Sequence, residues 1–273
     1  MLELRYVLVD VFTERSLTGN ALAVFTDARG LDDATLQALA RELALSETVF
    51  VLPARERGHA RLRIFSPRAE LPFAGHPTLG AAIVLGEPLQ AEVLRLETGR
   101  GTVPVALERE GARVTAGWME LPVSEGSAVA DPSRLLAALG VESVSLPVTA
   151  YTSGPEHLLV AVDSPATVRA LAPDLRALAA LTSACVSVFA AEGARVKTRM
   201  FAPALGIDED PATGSAAGPI AAHLVRHGRV APGTTVDIEQ GAELERPSRL
   251  HARVDGAADR VERVTVGGSG LII

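Results

Sequence analysis

An α+β chain of two similar domains, each a barrel-like curved sheet around one enclosed helix, is what this sequence predicts, and three observations predict it. The chain nearly repeats itself at half its length. Arg63-Ile64-Phe65-Ser66-Pro67 stands ahead of Gly75-His76-Pro77-Thr78-Leu79-Gly80-Ala81-Ala82, and Arg199-Met200-Phe201-Ala202-Pro203 stands ahead of Asp210-Pro211-Ala212-Thr213-Gly214-Ser215-Ala216-Ala217. The offset is 136 residues at the first block and 134 at the second, close to half of 273. Second, Pro77 to Leu85 and Gly214 to Val225 are apolar or small nearly all round. A helix without a polar face is buried on every side, and its Ala and Gly residues let strands approach closely. Third, most of the remaining chain reads as short strands.

The elements follow in order. Leu4 to Val11 and Ala21 to Phe25 are strand-like, separated by the turn signal Thr18-Gly19-Asn20. A helix is expected from Asp33 to Ala44. Leu36, Leu39 and Leu43 form its apolar stripe, and Asp32-Asp33 suits its positive end. Thr48 to Leu52 and Ala60 to Phe65 are strands, and further strands are expected near Glu92 to Glu97, Thr102 to Leu107 and Ala112 to Trp118. Asp131-Pro132-Ser133 reads as a cap with proline at the first helical position, opening a helix that Gly140 closes. Asp163-Ser164-Pro165 opens another in the same manner. His157 to Val162, Val196 to Phe201, Thr235 to Glu239, Leu250 to Val254 and Val261 to Val266 read as strands. Pro122 to Ala130 is the best linker candidate.

Composition excludes several functions. Net charge is −7 and Lys197 is the single lysine, so no basic run exists for nucleic acid. No apolar stretch approaches the ~20 residues of a membrane span. The opening stretch carries Glu3 and Asp10 and reads as a strand, not a secretion signal. One cysteine, Cys185, excludes an internal disulfide and suits the cytoplasm. No G-x-G-x-x-G or Walker lysine motif is present, and no helix follows Gly267-Gly268-Ser269-Gly270, so no nucleotide cofactor is expected. His223 and His227 lack the glutamate of a zinc-protease motif and read as a helix C-terminal feature, so no metal is expected. Gly214-Ser215-Ala216 is not a nucleophile elbow.

The residues left for chemistry are unequal between the halves. Glu47 sits at the mouth of the apolar run Thr48-Val49-Phe50-Val51. It reads either as an exposed loop acid or as a partly desolvated acid/base group. His76 stands ahead of one buried helix, either as a capping or packing side chain or as a neutral hydrogen-bonding ring. Asp210 stands at the matching place before Pro211, either as a helix N-terminal acid or as a carboxylate facing Glu47 and His76 across a cleft between the halves. Thr213-Gly214-Ser215 offers small residues and free N–H groups at a helix start, a cradle for a carboxylate.

These residues resemble a known family. Gly19-Asn20, Leu45-Ser46-Glu47-Thr48, Glu70-Leu71-Pro72-Phe73-Ala74-Gly75-His76-Pro77, Gly154-Pro155-Glu156-His157, Asp210 to Pro219, Gln240-Gly241 and Arg246-Pro247-Ser248 are similar to the motifs of the PhzF-type phenazine biosynthesis proteins. The resemblance implies the diaminopimelate-epimerase-like fold, a homodimer, and isomerisation of trans-2,3-dihydro-3-hydroxyanthranilate without a cofactor. It also implies that the last strand crosses to the first half, giving domains 1–118 plus 262–273 and 119–261. The family's acid/base glutamate matches Glu47, and its assisting residues match His76, Asp210 and Ser215. The thiol pair of true epimerases is missing.

The expected function is therefore a cofactor-free isomerase of a small cyclic amino-acid-like carboxylate. Glu47, His76 and Asp210 are the catalytic candidates, and Gly75, Thr213, Gly214 and Ser215 hold the substrate. Another amino-acid-like acid as substrate, or a non-catalytic small-molecule-binding protein on the same fold, are the alternatives.

Overall fold

The computed structural model describes residues 4–123 and 125–273. The chain divides into two compact units, one of residues up to Glu120 together with Gly267–Ile273, the other of Leu121–Val266. The fold is α+β.

The first unit contains β1 (Val7–Val11), β2 (Asn20–Phe25), α1 (Asp33–Leu43), β3 (Thr48–Leu52), β4 (Ala60–Phe65), β5 (Glu70–Leu71), α2 (Gly75–Leu89), β6 (Val93–Thr98), β7 (Gly101–Glu110) and β8 (Arg113–Glu120). The second contains β9 (Ser127–Ala128), α3 (Ser133–Leu139), β10 (Thr149–Thr152), β11 (Glu156–Ala161), α4 (Pro165–Arg169), α5 (Leu175–Leu181), β12 (Cys185–Glu192), β13 (Arg195–Ala202), β14 (Ile207–Asp210), α6 (Gly214–Arg226), β15 (Thr235–Gln240) and β16 (Ser248–Ala257). The last strand, β17 (Arg260–Ile272), starts in the second unit and ends in the first.

Eight strands of the first unit close a ring. β1 pairs with β2, β2 with β3, β3 with β4, β4 with β6, β6 with β7, β7 with β8, β8 with β17, and β17 with β1. The closing register sets Val9 opposite Ile272 and Val11 opposite Gly270. In the second unit β10 pairs with β9 and β11, followed by β12, β13, β15 and β16. The amide of Leu121 donates to the carbonyl of Val264, tying the start of that unit to β17.

The two units repeat one pairing scheme. An antiparallel pair (β1–β2, β10–β11) precedes a parallel one (β2–β3, β11–β12). An antiparallel pair (β3–β4, β12–β13) then precedes a second parallel one (β4–β6, β13–β15). The side chains repeat as well. Arg63 on β4 holds Glu70 on β5 through two hydrogen bonds and lies 5.1 Å from the Phe65 ring centroid. Arg199 on β13 holds Glu209 on β14 in the same manner and lies 5.1 Å from Phe201.

Both central helices are buried as their composition predicts: Gly75 to Val84 of α2 and Gly214 to Val225 of α6 lie in the core. Small residues are required where strands press on them. A Cβ on Gly80 would lie 2.6 Å from Leu22 Cδ2, and one on Gly86 2.4 Å from Leu107 Cδ1. Leu79 and Ile83 are fully buried, and each such side chain contributes roughly 1.5–3 kcal/mol of transfer free energy.

The remaining helices cover outer faces. α1 packs Leu36 and Ala40 on Phe25, Phe50 and Phe65. These few aromatics are concentrated in one stack, with centroids 4.9 Å apart for Phe25–Phe50 and 5.5 Å for Phe50–Phe65. α3, α4 and α5 pack Leu135, Leu139, Val168 and Leu178 on Val186, Val188 and Phe201.

One sequence expectation is corrected in detail, and two elements went unread. α3 begins at Ser133, so Pro132 occupies the cap position, and the Asp131 carboxylate accepts from the Ser133 amide. β12 and α5 carried no sequence signal that separated them. The run Cys185 to Ala191 is buried on both faces but for its last residue and so lacks alternation.

Candidate active site

Chemistry-bearing residues collect at the start of α2 in the first unit and at the start of α6 in the second. In the first unit α1 ends with Ala44 in a left-handed conformation, its amide bonded to the carbonyl of Ala40. That turn aims the chain into β3, and Glu47 is the residue just before the strand. Its side chain is only 12% exposed, and its Oε2 lies 3.4 Å from Nδ1 of His76. His76 lies inside α2, as its second residue, not ahead of the helix as the sequence suggested. Thr78 donates its hydroxyl to the carbonyl of Ala74 one turn back at 2.8 Å, and among the described residues no side chain caps this end of α2.

Burial pushes the His76 imidazole down to about 3, so the ring stays neutral near pH 7. Asn20, the first residue of β2, places Nδ2 3.3 Å from the same Nδ1. An amide nitrogen can only donate, so Nδ1 accepts and the ring proton sits on Nε2. That Nε2 is buried without a hydrogen-bond partner. The single Nδ1 lone pair of the neutral ring accepts one hydrogen bond, from Asn20 when Glu47 is ionised or from Glu47 once it is protonated.

In the second unit β14 ends at Asp210, opposite Met200. Asp210 is buried and accepts from Thr213 Oγ1 at 2.5 Å. Gln240, at the end of β15, locks this turn. Its Nε2 donates to the carbonyl of Asp210 at 2.7 Å and to Thr213 Oγ1 at 2.9 Å, and its Oε1 accepts from the Thr213 amide at 3.1 Å. Gly241 then adopts φ +75°, and a Cβ there would lie 2.4 Å from the carbonyl of Pro211. Gly214 and Ser215 are the first residues of α6, where backbone N–H groups have no intrahelical acceptor. Ser215 Oγ lies 3.1 Å from Nε2 of His157 on β11.

The structural repeat corrects the match between the halves. Ile64 of β4 pairs with Leu71 of β5, and Met200 of β13 pairs with Asp210 of β14. Gly75 opens α2 and Gly214 opens α6. Asp210 therefore matches Leu71, Pro211 matches Pro72, and Ser215, not Asp210, matches His76. The short 3-10 turn Pro203–Leu205 accounts for the shift. By the same logic, Thr48 opposite Phe65 corresponds to Val186 opposite Phe201, so Glu47 corresponds to Cys185. Each functional side chain has a partner of different chemistry in the other unit.

Glu47 and His76 are brought together in one unit, and Asp210, Thr213, Gly214 and Ser215 in the other, while Gly75 is the buried first residue of α2. Asn20, His157 and Gln240 stood in the recognised motifs without roles. Asn20 and His157 carried a signal in the sequence, a polar side chain at the head of an apolar run, whereas Gln240 closes the mixed run Thr235–Gln240 and carried none. Among the described residues, no three His, Cys, Asp or Glu side chains are grouped to hold a metal ion.

Three buried histidines make stability depend on pH. Burial pushes His76 to about 3 and His157 to about 4, and burial with the nearby His227 and Arg226 pushes His223 to about 4. Unfolding releases each ring to its ordinary value, so the unfolded chain binds more protons below about pH 6.5. Stability is full above that value and falls as the pH drops toward 4. Each histidine contributes roughly 1.4 kcal/mol per pH unit across the window. A lower urea midpoint at about pH 5 than at about pH 7.5 is expected, and a flat midpoint would contradict neutral burial.

The chain is similar to known proteins over nearly its whole length. The trans-2,3-dihydro-3-hydroxyanthranilate isomerase of Pseudomonas aeruginosa is 47% identical over 266 residues, 97% of this chain and 96% of that one. The crystal structure of a PhzF-family phenazine biosynthesis protein from Bacillus anthracis superimposes with a TM-score of 0.88 over 100% of this chain and 98% of that one, at 23% identity. A probable proline racemase from Agrobacterium radiobacter K84 shares the fold, with a TM-score of 0.71 over 99% and 91% of the two chains, at 15% identity. The protein is an isomerase on the diaminopimelate-epimerase-like fold. The sequence profile described as phenazine biosynthesis-like protein matches residues 9–273, and the chain belongs to that PhzC-PhzF family.

Proposed function

We propose that this isomerase acts on trans-2,3-dihydro-3-hydroxyanthranilate or a close cyclic amino-acid-like carboxylate, moving a proton with Glu47 and using no cofactor. The observation that carries the reading is the carboxylate of Glu47 at 3.4 Å from the acceptor nitrogen of a neutral, buried His76. Glu47 takes a proton from the ring carbon bearing the hydroxyl and returns one elsewhere on the conjugated system. His76 receives the hydrogen bond of protonated Glu47 and so holds the proton between the two steps. The first amides of α6, at Gly214 and Ser215, hold the substrate carboxylate. Thr213 fixes Asp210, which binds the amine, and Gly75 leaves room beside His76. In this reading the enzyme works in the cytoplasm as a homodimer.

Incubation with the dihydro-hydroxyanthranilate in heavy water tests the proposal. A new product carrying deuterium at one ring carbon is expected. A substrate recovered without exchange and without product overturns it.

A further inference from the structure

We infer that His157 is a positioning residue that turns the hydroxyl of Ser215 outward, as a hydrogen-bond donor to the substrate carboxylate. The inference rests on the carboxylate site proposed for the start of α6. His157 is fully buried near the start of β11. Its Nε2 lies 3.1 Å from Ser215 Oγ, and its Nδ1 is buried without a partner.

A neutral imidazole has two ways to fill this geometry. With the proton on Nδ1, a buried N–H has no acceptor, and the Ser215 hydroxyl must donate inward to Nε2. With the proton on Nε2, the ring donates to Ser215 Oγ, and only a lone pair is left unpaired. Buried orphan N–H groups are rarer and more costly than under-satisfied acceptors. Ser215 Oγ can either donate or accept, so this cost decides and the second arrangement is favoured, whereas at His76 the fixed donor Nδ2 of Asn20 sets the tautomer. The Ser215 hydroxyl proton is left free to point away from His157. Burial keeps the ring neutral, with its pKa pushed down to about 4. Ser215 then offers two donors, its backbone N–H and its hydroxyl, beside the N–H of Gly214, at the positive end of a helix of 13 residues. Three donors at a helix start suit a carboxylate.

The first unit uses the same device. Asn20, opening β2, donates to His76, the second residue of α2. His157 donates to Ser215, the second residue of α6. In each unit a buried donor on the second strand of the repeat fixes the polar group at the helix start.

Nitrogen NMR of the intact protein labelled at histidine side chains reads the tautomer directly, with His157 assigned by its loss in His157→Gln. A proton on Nε2 is expected, and a proton on Nδ1 overturns the inference. Steady-state kinetics with the dihydro-hydroxyanthranilate give the second arm. His157→Leu should raise KM about tenfold, the scale of one lost hydrogen bond to a charged group. His157→Gln, whose amide nitrogen reaches the place of Nε2, should stay within about twofold of the parent KM. In a Ser215→Ala background, His157→Leu should change KM less than about twofold. An equal effect in both backgrounds would show a general structural role and overturn the inference alone. Ser215→Ala with unchanged KM would overturn the inference by showing that the hydroxyl donates nothing to the substrate, and would leave the amides of Gly214 and Ser215 as the carboxylate site.

Discussion

Glu47→Gln is expected to stop turnover while leaving substrate binding within about twofold of the parent. The amide keeps the size of the carboxylate and can still reach His76 Nδ1, 3.4 Å away in the parent protein, so the fold at the head of β3 is preserved. What is lost is the group that accepts and returns the proton. General acid/base catalysis is typically worth 10²–10⁴-fold, and a side chain that performs both steps alone belongs at the upper end, about 10³-fold or more in kcat. Deuterium exchange into substrate should vanish in parallel. A variant that turns over at a near-parent rate would remove Glu47 from the mechanism.

Gly241→Val should damage both stability and activity, although Gly241 belongs to none of the proposed catalytic groups. Its φ of +75° costs an L-residue roughly 1–2 kcal/mol. The added Cβ would also lie 2.4 Å from the carbonyl of Pro211 and 2.5 Å from that of Arg246, so backbone must move. Overpacking of this kind costs typically 1–3 kcal/mol more. The segment pushed is the one that Gln240 holds in place, with Asp210 at its head and Thr213 at its foot. A total near 3 kcal/mol should lower the thermal midpoint by several degrees, with a fall in kcat/KM beyond what unfolding explains. Parent-like stability would show that the turn yields easily, and that Gln240 alone determines the position of Asp210.

Much of this architecture was legible in the sequence because it follows from periodicity and residue size. The enclosed helices α2 and α6 announced themselves by their lack of any polar face, and Asp32 and Ser164 cap helices as their types suggest. β12 was hidden, because a strand buried on both faces has no alternation to read. The pairing of the halves was misaligned for a different reason. Matching His76-Pro77 to Asp210-Pro211 is natural on the page, yet backbone register answers to strand pairing, and the turn at Pro203–Leu205 shifts the frame between β13 and β14. Asn20 and His157 could be seen as odd polar residues at the head of apolar runs, and Gln240 could not, since its strand already carries Asp237 and Glu239. Their partners lie 56, 58 and 27 residues away, at His76, Ser215 and Thr213, and no local pattern specifies such a distance.

The closing strand has a consequence for the birth of the protein. Residues 9–11 have their β-sheet neighbours at 270–272, so during translation the first barrel waits with a gap between β1 and β8 until the second unit has been made. Its two flanking strands present unpaired N–H and C=O groups for all that time, and such edges recruit other chains. The second unit can settle first, and the earlier-made half finishes last, an inversion of the usual vectorial order. A fusion or trimming that disturbs the stretch from Gly267 to Ile272 should therefore show itself as lost soluble yield from the ribosome before it shows as lost catalysis.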